Sequence, residues 1–271
     1  MDSQVDIRDL KLLENDKYTF AVLSRILNNS CRLILTDHER LIICHSVDPF
    51  PVWIWTPDDV SPEDKERAWA VVSRTCPMAD GYRYNLKYDL ADFFLFKARG
   101  RGVDAAITVN MFAYDCPKPL APEKIAAGHI HLCTWEDLEE AAEIIKMFHD
   151  EVGIDQSDEE NYLKRAKAHI KDGNLFFWKD DLNRTVACCS YTPNGDVASI
   201  GSVYTFPAYR RKHYAENLVY QVTRIVESTG AMPMLYTDAD YIASNACYEK
   251  VGYVLRGKLC TIGTDTYPQE G

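Results

Sequence analysis

Long apolar runs and paired cysteines are both missing from this sequence. Its 271 residues contain no stretch of about 18 apolar residues, which predicts that no helix spans a membrane. The first residues are acidic and polar and lack the basic and apolar regions of a secretory signal, so we expect a cytoplasmic location. The nine cysteines form no C-x-x-C pair, which argues against zinc ribbons and thioredoxin-like sites. Their mostly apolar neighbours indicate buried thiols in a reducing compartment.

Basic residues are outnumbered as well. The chain has 30 Lys and Arg against 41 Asp and Glu, a formal net charge of −11. A nucleic-acid binder needs basic surface to replace counterions, so we expect no nucleic-acid partner. The acidic balance fits a cationic small substrate. Hydrophobic residues make up 46% of the chain, enough for a globular core without metal or disulfide.

The chain has no repeat of fixed period and no low-complexity tract. Three prolines within six residues, Pro117, Pro119 and Pro122, favour extended chain and mark a seam. We therefore predict two domains, residues 1–122 and 123–271.

Residues 1–122 show helix and strand signals but no enzyme motif. Apolar spacing and turn residues predict a helix at 18–27, strands at 32–35, 41–44 and within 49–57, a helix that Ser61 caps, and a helix at 89–98.

Residues 123–271 have clearer capping and turn signals between their predicted elements. The predicted order is a strand at 130–132, a helix after Thr134, a helix from the capping box at Ser157, strands at 175–178, 185–191 and 198–205, a helix at 209–228, a strand at 234–237, a helix at 244–251 and a strand at 253–260. The late strand–helix–strand segments require a parallel pair within a mixed sheet.

The segment from Val203 to Ala215 carries the chemistry. A β-branched strand runs into a turn with Pro207, and Arg210, Arg211 and Lys212 follow at the predicted first turn of a long helix. A helix amino terminus offers free N–H groups and a partial positive charge, so the basic cluster predicts a phosphate or pyrophosphate site. The alternative is a solvated basic turn in front of a helix.

Two spaced motifs in residues 125–262 together resemble the GNAT superfamily of N-acetyltransferases. The family pattern Arg/Gln-x-x-Gly-x-Gly/Ala is similar to Arg210-x-x-His213-x-Ala215, and a later Asn, Tyr and Gly-aromatic pattern is similar to Asn245, Tyr248, Gly252 and Tyr253. The resemblance implies an α/β fold with a mixed, mostly antiparallel sheet flanked by helices, preceded by a smaller α/β domain. It also implies transfer of an acetyl group from acetyl-CoA to a primary amine of a small molecule, without metal.

The resemblance assigns roles by position. The backbone of Val203, Tyr204 and Thr205 would bind the pantetheine arm as an added strand, and Asn245 would also contact the cofactor. Tyr248 would protonate the leaving thiolate. The alternative for Tyr248 is an ordinary half-buried helix tyrosine with no catalytic role. The pyrophosphate would lie on the loop and helix start formed by Arg210, Arg211, Lys212, His213, Tyr214 and Ala215.

One departure from the family pattern leaves a second function open. His213 stands where the family has glycine, which lets backbone approach phosphate closely. A histidine in helical conformation still offers its amide, but it can instead crowd the loop. A non-catalytic acyl-CoA-binding regulatory module is therefore the alternative to an enzyme.

Other positions and properties remain open. Asp238 either faces substrate or caps a turn. Cys247 is not expected to be a nucleophile, and His129 and His131 lack a third metal ligand nearby. Ser199 and Ser202, but no carboxylate, lie on the strand at 198–205, so no general base can be named. The acceptor, and whether the chain is a monomer or a homodimer, stay open.

Residues 1–122 are compatible with a degenerate second copy of the GNAT fold. Their aromatic residues either line an acceptor pocket or pack in the core. These aromatic residues are Trp53, Trp55, Tyr82, Tyr84 and Tyr88.

Overall fold

The computed structural model describes residues 1–29, 31–153 and 158–264. Its helices are α1 Ile7–Leu12, α2 Ala21–Leu27, α3 Pro62–Thr75, α4 Tyr88–Arg99, α5 Leu138–Val152, α6 Glu159–Asp172, α7 Tyr214–Ser228 and α8 Ile242–Val251. Its strands are β1 Leu33–Thr36, β2 Ile42–His45, β3 Val52–Trp55, β4 Tyr84–Leu86, β5 Ala106–Asp115, β6 His129–Leu132, β7 Leu175–Lys179, β8 Thr185–Asn194, β9 Val197–Thr205, β10 Met232–Asp238 and β11 Val254–Gly263. In the described part of the chain, no helix is both long and apolar enough to cross a membrane.

The described chain forms two compact units. One contains residues 1–113 and 238–240 and the described residues from 256 onward, and the other contains residues 114–237 and 241–255. The domain boundary near residue 122 stays a prediction from the proline-rich seam.

The second unit contains a mixed sheet with the strand order β10-β9-β8-β7-β6. Neighbouring strands from β6 to β9 are antiparallel, whereas β9 and β10 are parallel, which confirms the predicted parallel pair. The parallel register runs from Met232↔Val197 to Leu235↔Ile200 and stops there, although both strands continue. The two strands therefore separate beyond Ile200.

Helices α5 and α6 cover one face of this sheet because their apolar residues recur at helical spacing. Ala141, Ile145 and Tyr162 pack with Phe177 and Cys188 in one buried cluster. Asp158 caps α6 by accepting a hydrogen bond from the amide of Asn161. The capping box predicted from Ser157 begins outside the described residues.

The first unit has the strand order β1-β2-β3-β4-β11-β5. Strands β1, β2 and β3 pair antiparallel, and β3 and β4 are parallel. Helix α3 begins as predicted, with Ser61 and Asp64 forming a reciprocal capping box. The core lies between the sheet and helices α3 and α4, where Trp69 and Tyr84 contact Phe94 edge to face.

Of the predicted aromatic residues, Tyr84 belongs to this core, whereas Trp53 and Trp55 are buried outside that cluster. Tyr84 is fully buried, and its hydroxyl donates to the carbonyl of Cys76 at 2.6 Å. Trp53 and Trp55 are 5% and 3% exposed, and the indole N–H of Trp55 donates to Asp16. Tyr82 and Tyr88 pack against the same core.

Strand β11 lies mostly in the first unit, although it is the last strand in the sequence. From Arg256 onward its residues lie in that unit, where Cys260 and Ile262 pair antiparallel with Leu86 and Tyr84 of β4. The sequence had predicted this strand as the last element of the second domain. Periodicity does not show which strand is the pairing partner, because pairing depends on contacts far apart in the chain.

The two halves of the sequence repeat one order of elements. The first runs α1-α2-β1-β2-β3-α3-β4-α4-β5, and the second part of the chain runs α5-α6-β7-β8-β9-α7-β10-α8-β11 after β6. In both, two antiparallel pairings are followed by a parallel one across a helix. A shared topology does not by itself establish a degenerate copy, which remains a prediction.

Candidate active site

The corner between β9 and α7 differs in one respect from its prediction. We predicted a helix from Tyr209, but a short 3₁₀ turn at Pro207–Tyr209 comes first and α7 begins only at Tyr214. Arg211 and His213 have φ angles of 61° and 65°, which an α-helix cannot accommodate. The basic residues therefore lie on the loop before the helix instead of in its first turn.

His213 holds the left-handed conformation immediately before α7. It is the N-cap residue, with φ 65° and ψ 8°, so the expectation that it adopts helical angles was wrong. Glycine reaches this conformation freely, whereas a residue with a Cβ is strained by roughly 1–2 kcal/mol. The imidazole Nδ1 lies 3.2 Å from a carboxylate oxygen of Glu216, in the first turn of α7. The loop therefore keeps the backbone shape that glycine favours, at an energetic cost.

The three basic side chains of the loop have different surroundings. Arg210 donates to the carbonyl of Thr205 at 3.0 Å and to the carboxylate of Glu151 at 2.5 Å. Lys212 donates to the carbonyl of Ala208, and its ammonium lies 5.3 Å from the centre of the Tyr209 ring. Arg211 is exposed. Two of the three residues in the predicted basic cluster, Arg210 and Lys212, thus already have partners within the chain.

The first amides of α7 remain suited to an anion. The first turn of a helix leaves N–H groups without intrahelical acceptors, and the helix dipole makes this end positive. Asn217 helps to fix the turn, because its side-chain amide donates to the carbonyls of His213 and Lys124. Tyr214 and Ala215 are only partly buried at this end.

Strand β9 ends beside this helix start. Beyond Ile200 no residue of β10 pairs with it among the described residues, so Val203–Thr205 has no β10 partner on that side, although the carbonyl of Thr205 accepts from Arg210. The register between β8 and β9 is irregular next to Cys188, and Ser202 has a φ of 48°. The hydroxyl oxygen of Thr205 is buried without a hydrogen-bond partner in the described structure. An added extended chain would satisfy the open edge.

Helix α8 presents the second motif. Asn245 and Tyr248 are three residues apart and so lie on the same side of the helix. Tyr248 is 8% exposed, and its ring meets that of Tyr253 edge to face at 6.0 Å. Burial raises the pKa of the Tyr248 hydroxyl, so the group is protonated at neutral pH. Burial likewise raises the pKa of the Cys247 thiol to about 12, which disfavours a thiolate nucleophile.

The remaining polar candidates have local explanations. His131 lies 2.8 Å from a carboxylate oxygen of Asp137, which also accepts from the amide of Thr134. His129 is exposed at the start of β6. Asp238 accepts from the amide of Asp240, and burial raises the pKa of its carboxyl group. The turn-capping contact is thus present for Asp238, and a role towards substrate stays a prediction.

Sequence reasoning missed one cluster in the first unit. Ligand atoms of Asp6, Asp9 and His38 lie within 4.8 Å of one another. Asp9 accepts hydrogen bonds from Thr36 at 2.5 Å and from the amide of Asp6, and it lies 2.9 Å from His38. These contacts satisfy the cluster without an ion. His38 is 29 positions from Asp9 in the sequence, so no local motif predicts the cluster.

It also missed Glu151. This residue lies in the last turn of α5, where nothing in its neighbours marks it as functional. Its contact with Arg210 depends on how α5 packs over the sheet.

The comparisons with known proteins agree with this geometry. The acetyltransferase (GNAT) family model matches residues 135–253, a segment that contains the β9–α7 corner, Asn245 and Tyr248. No curated protein matches the sequence.

Solved structures share the fold at low sequence identity. A GNAT-family acetyltransferase from Colwellia psychrerythraea is 11% identical, with a TM-score of 0.59 over 97% of this chain and 99% of that chain. A GCN5-related N-acetyltransferase from Kribbella flavida is 16% identical, with a TM-score of 0.62 over 95% of this chain and 96% of that chain. A GCN5-related N-acetyltransferase from Sphaerobacter thermophilus is 12% identical, with a TM-score of 0.64 over 96% of this chain and 94% of that chain. Identities this low show a common fold and leave the substrate open. Residues 135–253 of this chain thus match the acetyltransferase (GNAT) family model, and the chain shares the fold of these structures.

Proposed function

We propose that this chain transfers an acetyl group from acetyl-CoA to a primary amine of a small molecule by direct transfer. The observation that carries the proposal is the separation of β9 from β10 beside the amino end of α7. An open strand edge and a positive helix end lie together there. An elongated ligand with an amide-containing arm and a pyrophosphate matches that pair of features.

The residues present fit such a ligand. The open edge of Val203–Thr205 would hold the pantetheine arm, with Asn245 as a further contact. The amides of Arg211–Ala215 and the exposed Arg211 side chain would hold the pyrophosphate. The bound cosubstrate supplies an acetyl group activated as a thioester.

Tyr248 would act as the general acid. In the transfer the amine nitrogen bonds to the carbonyl carbon while the carbon–sulfur bond breaks, and the electron pair leaves on sulfur. The phenolic hydroxyl of Tyr248, which is protonated at neutral pH, would donate its proton to that sulfur, and the proton that the amine nitrogen gives up would restore the phenol. The high thiol pKa of Cys247 supports direct transfer without an acyl-cysteine.

The strained His213 favours the alternative of a non-catalytic acyl-CoA-binding module. A left-handed residue with a side chain lies where cofactor phosphate would approach. The buried, protonated phenol of Tyr248 on α8 supports the enzyme.

A thiol-release assay separates the two functions. Purified protein is mixed with acetyl-CoA and with amino acids, polyamines, aminoglycosides and peptides with free amino termini, and free thiol is followed over time. The enzyme releases thiol with at least one class of amine. Tight binding of acetyl-CoA without release for any class would support the regulatory module. Absence of binding would reject both.

The acidic net charge of −11 supports a cationic acceptor. A cytoplasmic location, the absence of nucleic-acid and membrane partners, and a monomeric or homodimeric state remain predictions.

A further inference from the structure

Arg210 in this structure is turned towards α5. Its guanidinium bridges the carboxylate of Glu151 at 2.5 Å and the carbonyl of Thr205 at 3.0 Å, and it lies 6.0 Å from the centre of the Tyr204 ring. The loop residue expected to meet pyrophosphate is therefore paired with a carboxylate of the same unit.

Glu151 also contacts two different loops, one through its side chain and one through its backbone. Its backbone carbonyl accepts from the hydroxyl of Tyr241, at 3.2 Å. Arg210 follows β9, and Tyr241 follows β10 and precedes α8. The end of α5 thus contacts the loops that follow both strands, and these are the strands whose pairing ends at Ile200. Glu151 therefore contacts both loops that lead away from the gap between β9 and β10.

The ion pair between Glu151 and Arg210 is weak, so a stronger anion can replace Glu151 as the partner of Arg210. Both side chains are about two-fifths exposed, and solvent screens such pairs strongly. A carboxylate in the last turn of a helix also faces the negative end of the helix dipole. A pyrophosphate offers Arg210 more charge and bidentate hydrogen bonds. Bound cofactor would therefore displace Glu151 and leave its charge without a counterion.

We propose that Glu151 has two partners in turn: Arg210 in the empty protein, and the ammonium group of a cationic acceptor once acyl-CoA holds Arg210. The inference rests on the proposed function and adds to it a residue that selects the acceptor. It makes cofactor binding and acceptor binding depend on each other, because each ligand releases the other's binding group.

The test is Glu151→Gln, with Glu143→Gln as its matched control. Glu143 is an exposed carboxylate two turns earlier on α5, so the control makes the same change in net charge. Coenzyme A binding is measured by calorimetry, and acceptor KM by thiol release with the best amine of the panel. For Glu151→Gln we expect coenzyme A affinity to rise about two- to fivefold, the equivalent of a surface ion pair. We expect the amine KM to rise roughly tenfold or more.

A double variant ties the first effect to the pair. In an Arg210→Gln background, Glu151→Gln should no longer improve coenzyme A affinity. Unchanged coenzyme A affinity and amine KM in Glu151→Gln, with a wild type that binds and turns over, would overturn this inference alone. A gain in coenzyme A affinity with no rise in amine KM would overturn the acceptor role. Wild type that binds coenzyme A but acetylates no amine would instead remove the proposed function, and the acceptor role with it.

Discussion

At the scale of single residues, chemistry depends on small differences in environment. Tyr248 and Cys247 are neighbours on α8, and burial raises the pKa of both. A phenol that stays protonated still has a proton to donate to a thiolate, whereas a thiol that stays protonated cannot act as a nucleophile. Burial is thus compatible with the proposed acid role of Tyr248 and disfavours nucleophilic catalysis by Cys247.

Replacing Tyr248 by Phe removes the proposed acid and leaves the ring contact with Tyr253. We expect kcat to fall roughly 10²–10⁴-fold, since general acid catalysis contributes about that much. Coenzyme A affinity, measured by calorimetry, should stay unchanged. Tyr220→Phe on α7 removes a phenol elsewhere and serves as the control. A Tyr248→Phe enzyme with wild-type kcat would rule out the acid role.

His213 gives a second residue-scale prediction. Glycine at this position should remove the left-handed strain and offset its own greater freedom in the unfolded chain. We therefore expect His213→Gly to leave the free energy of unfolding unchanged or to raise it by about 1 kcal/mol in urea denaturation. Gln221→Gly, at an exposed position in the interior of α7, should lower the free energy of unfolding by about 1 kcal/mol. Equal losses in the two variants would show that His213 is not strained.

At the scale of elements, the contacts of His38 attach α1 to the turn between β1 and β2. Its ring nitrogens lie 2.9 Å from Asp9 and 3.3 Å from Asp2. Burial acts to lower the pKa of His38, but the hydrogen bonds with Asp2 and Asp9 outweigh it and raise the pKa. A histidine with a raised pKa stabilises the fold while it is protonated.

This contact makes stability depend on pH. Because the folded pKa lies above the unfolded value of about 6.5, the contribution of His38 is complete below about pH 6.5 and is lost as pH rises through the raised pKa. The difference in urea midpoint between wild type and His38→Gln should therefore shrink as pH increases. His129→Gln, which changes an exposed histidine on β6, should show no such trend. A difference that grows with pH would contradict the assigned direction.

Elements with local signals were predictable from sequence. The start of α3 follows from Ser61, Pro62 and Asp64, and the β8–β9 hairpin follows from its Asn194-Gly195 turn. Strands β4 and β5 were missed. The first has only three residues, and the second carries apolar and polar residues without regular alternation. The start of α7 was misplaced because two non-glycine residues adopt positive φ, which composition does not reveal.

At the scale of the whole molecule, β11 completes the sheet of the first unit, although it follows the elements of the second unit in the sequence. Ile262 of β11 is fully buried there and pairs with Tyr84. Ile262→Ala should cost about 2–5 kcal/mol in the unfolding of that unit. Fluorescence of Trp53, Trp55 and Trp69 can follow this unfolding. Val254→Ala, at a 43% exposed position of the same strand, should stay within about 0.5 kcal/mol of wild type. Equal effects would show that β11 does not support the first unit.

The sequence by itself determined the local features of this protein: the cap of α3, the hairpin turn and two GNAT-like motifs, one at the basic corner and one on α8. These depend on residues close together in the chain, where backbone preference and hydrophobic spacing act directly. The tertiary structure decided which partners distant residues meet. It placed β11 beside β4, joined Asp9 to His38 and turned Arg210 to Glu151. Such contacts arise only when packing brings separate elements together, so no window of sequence contains them.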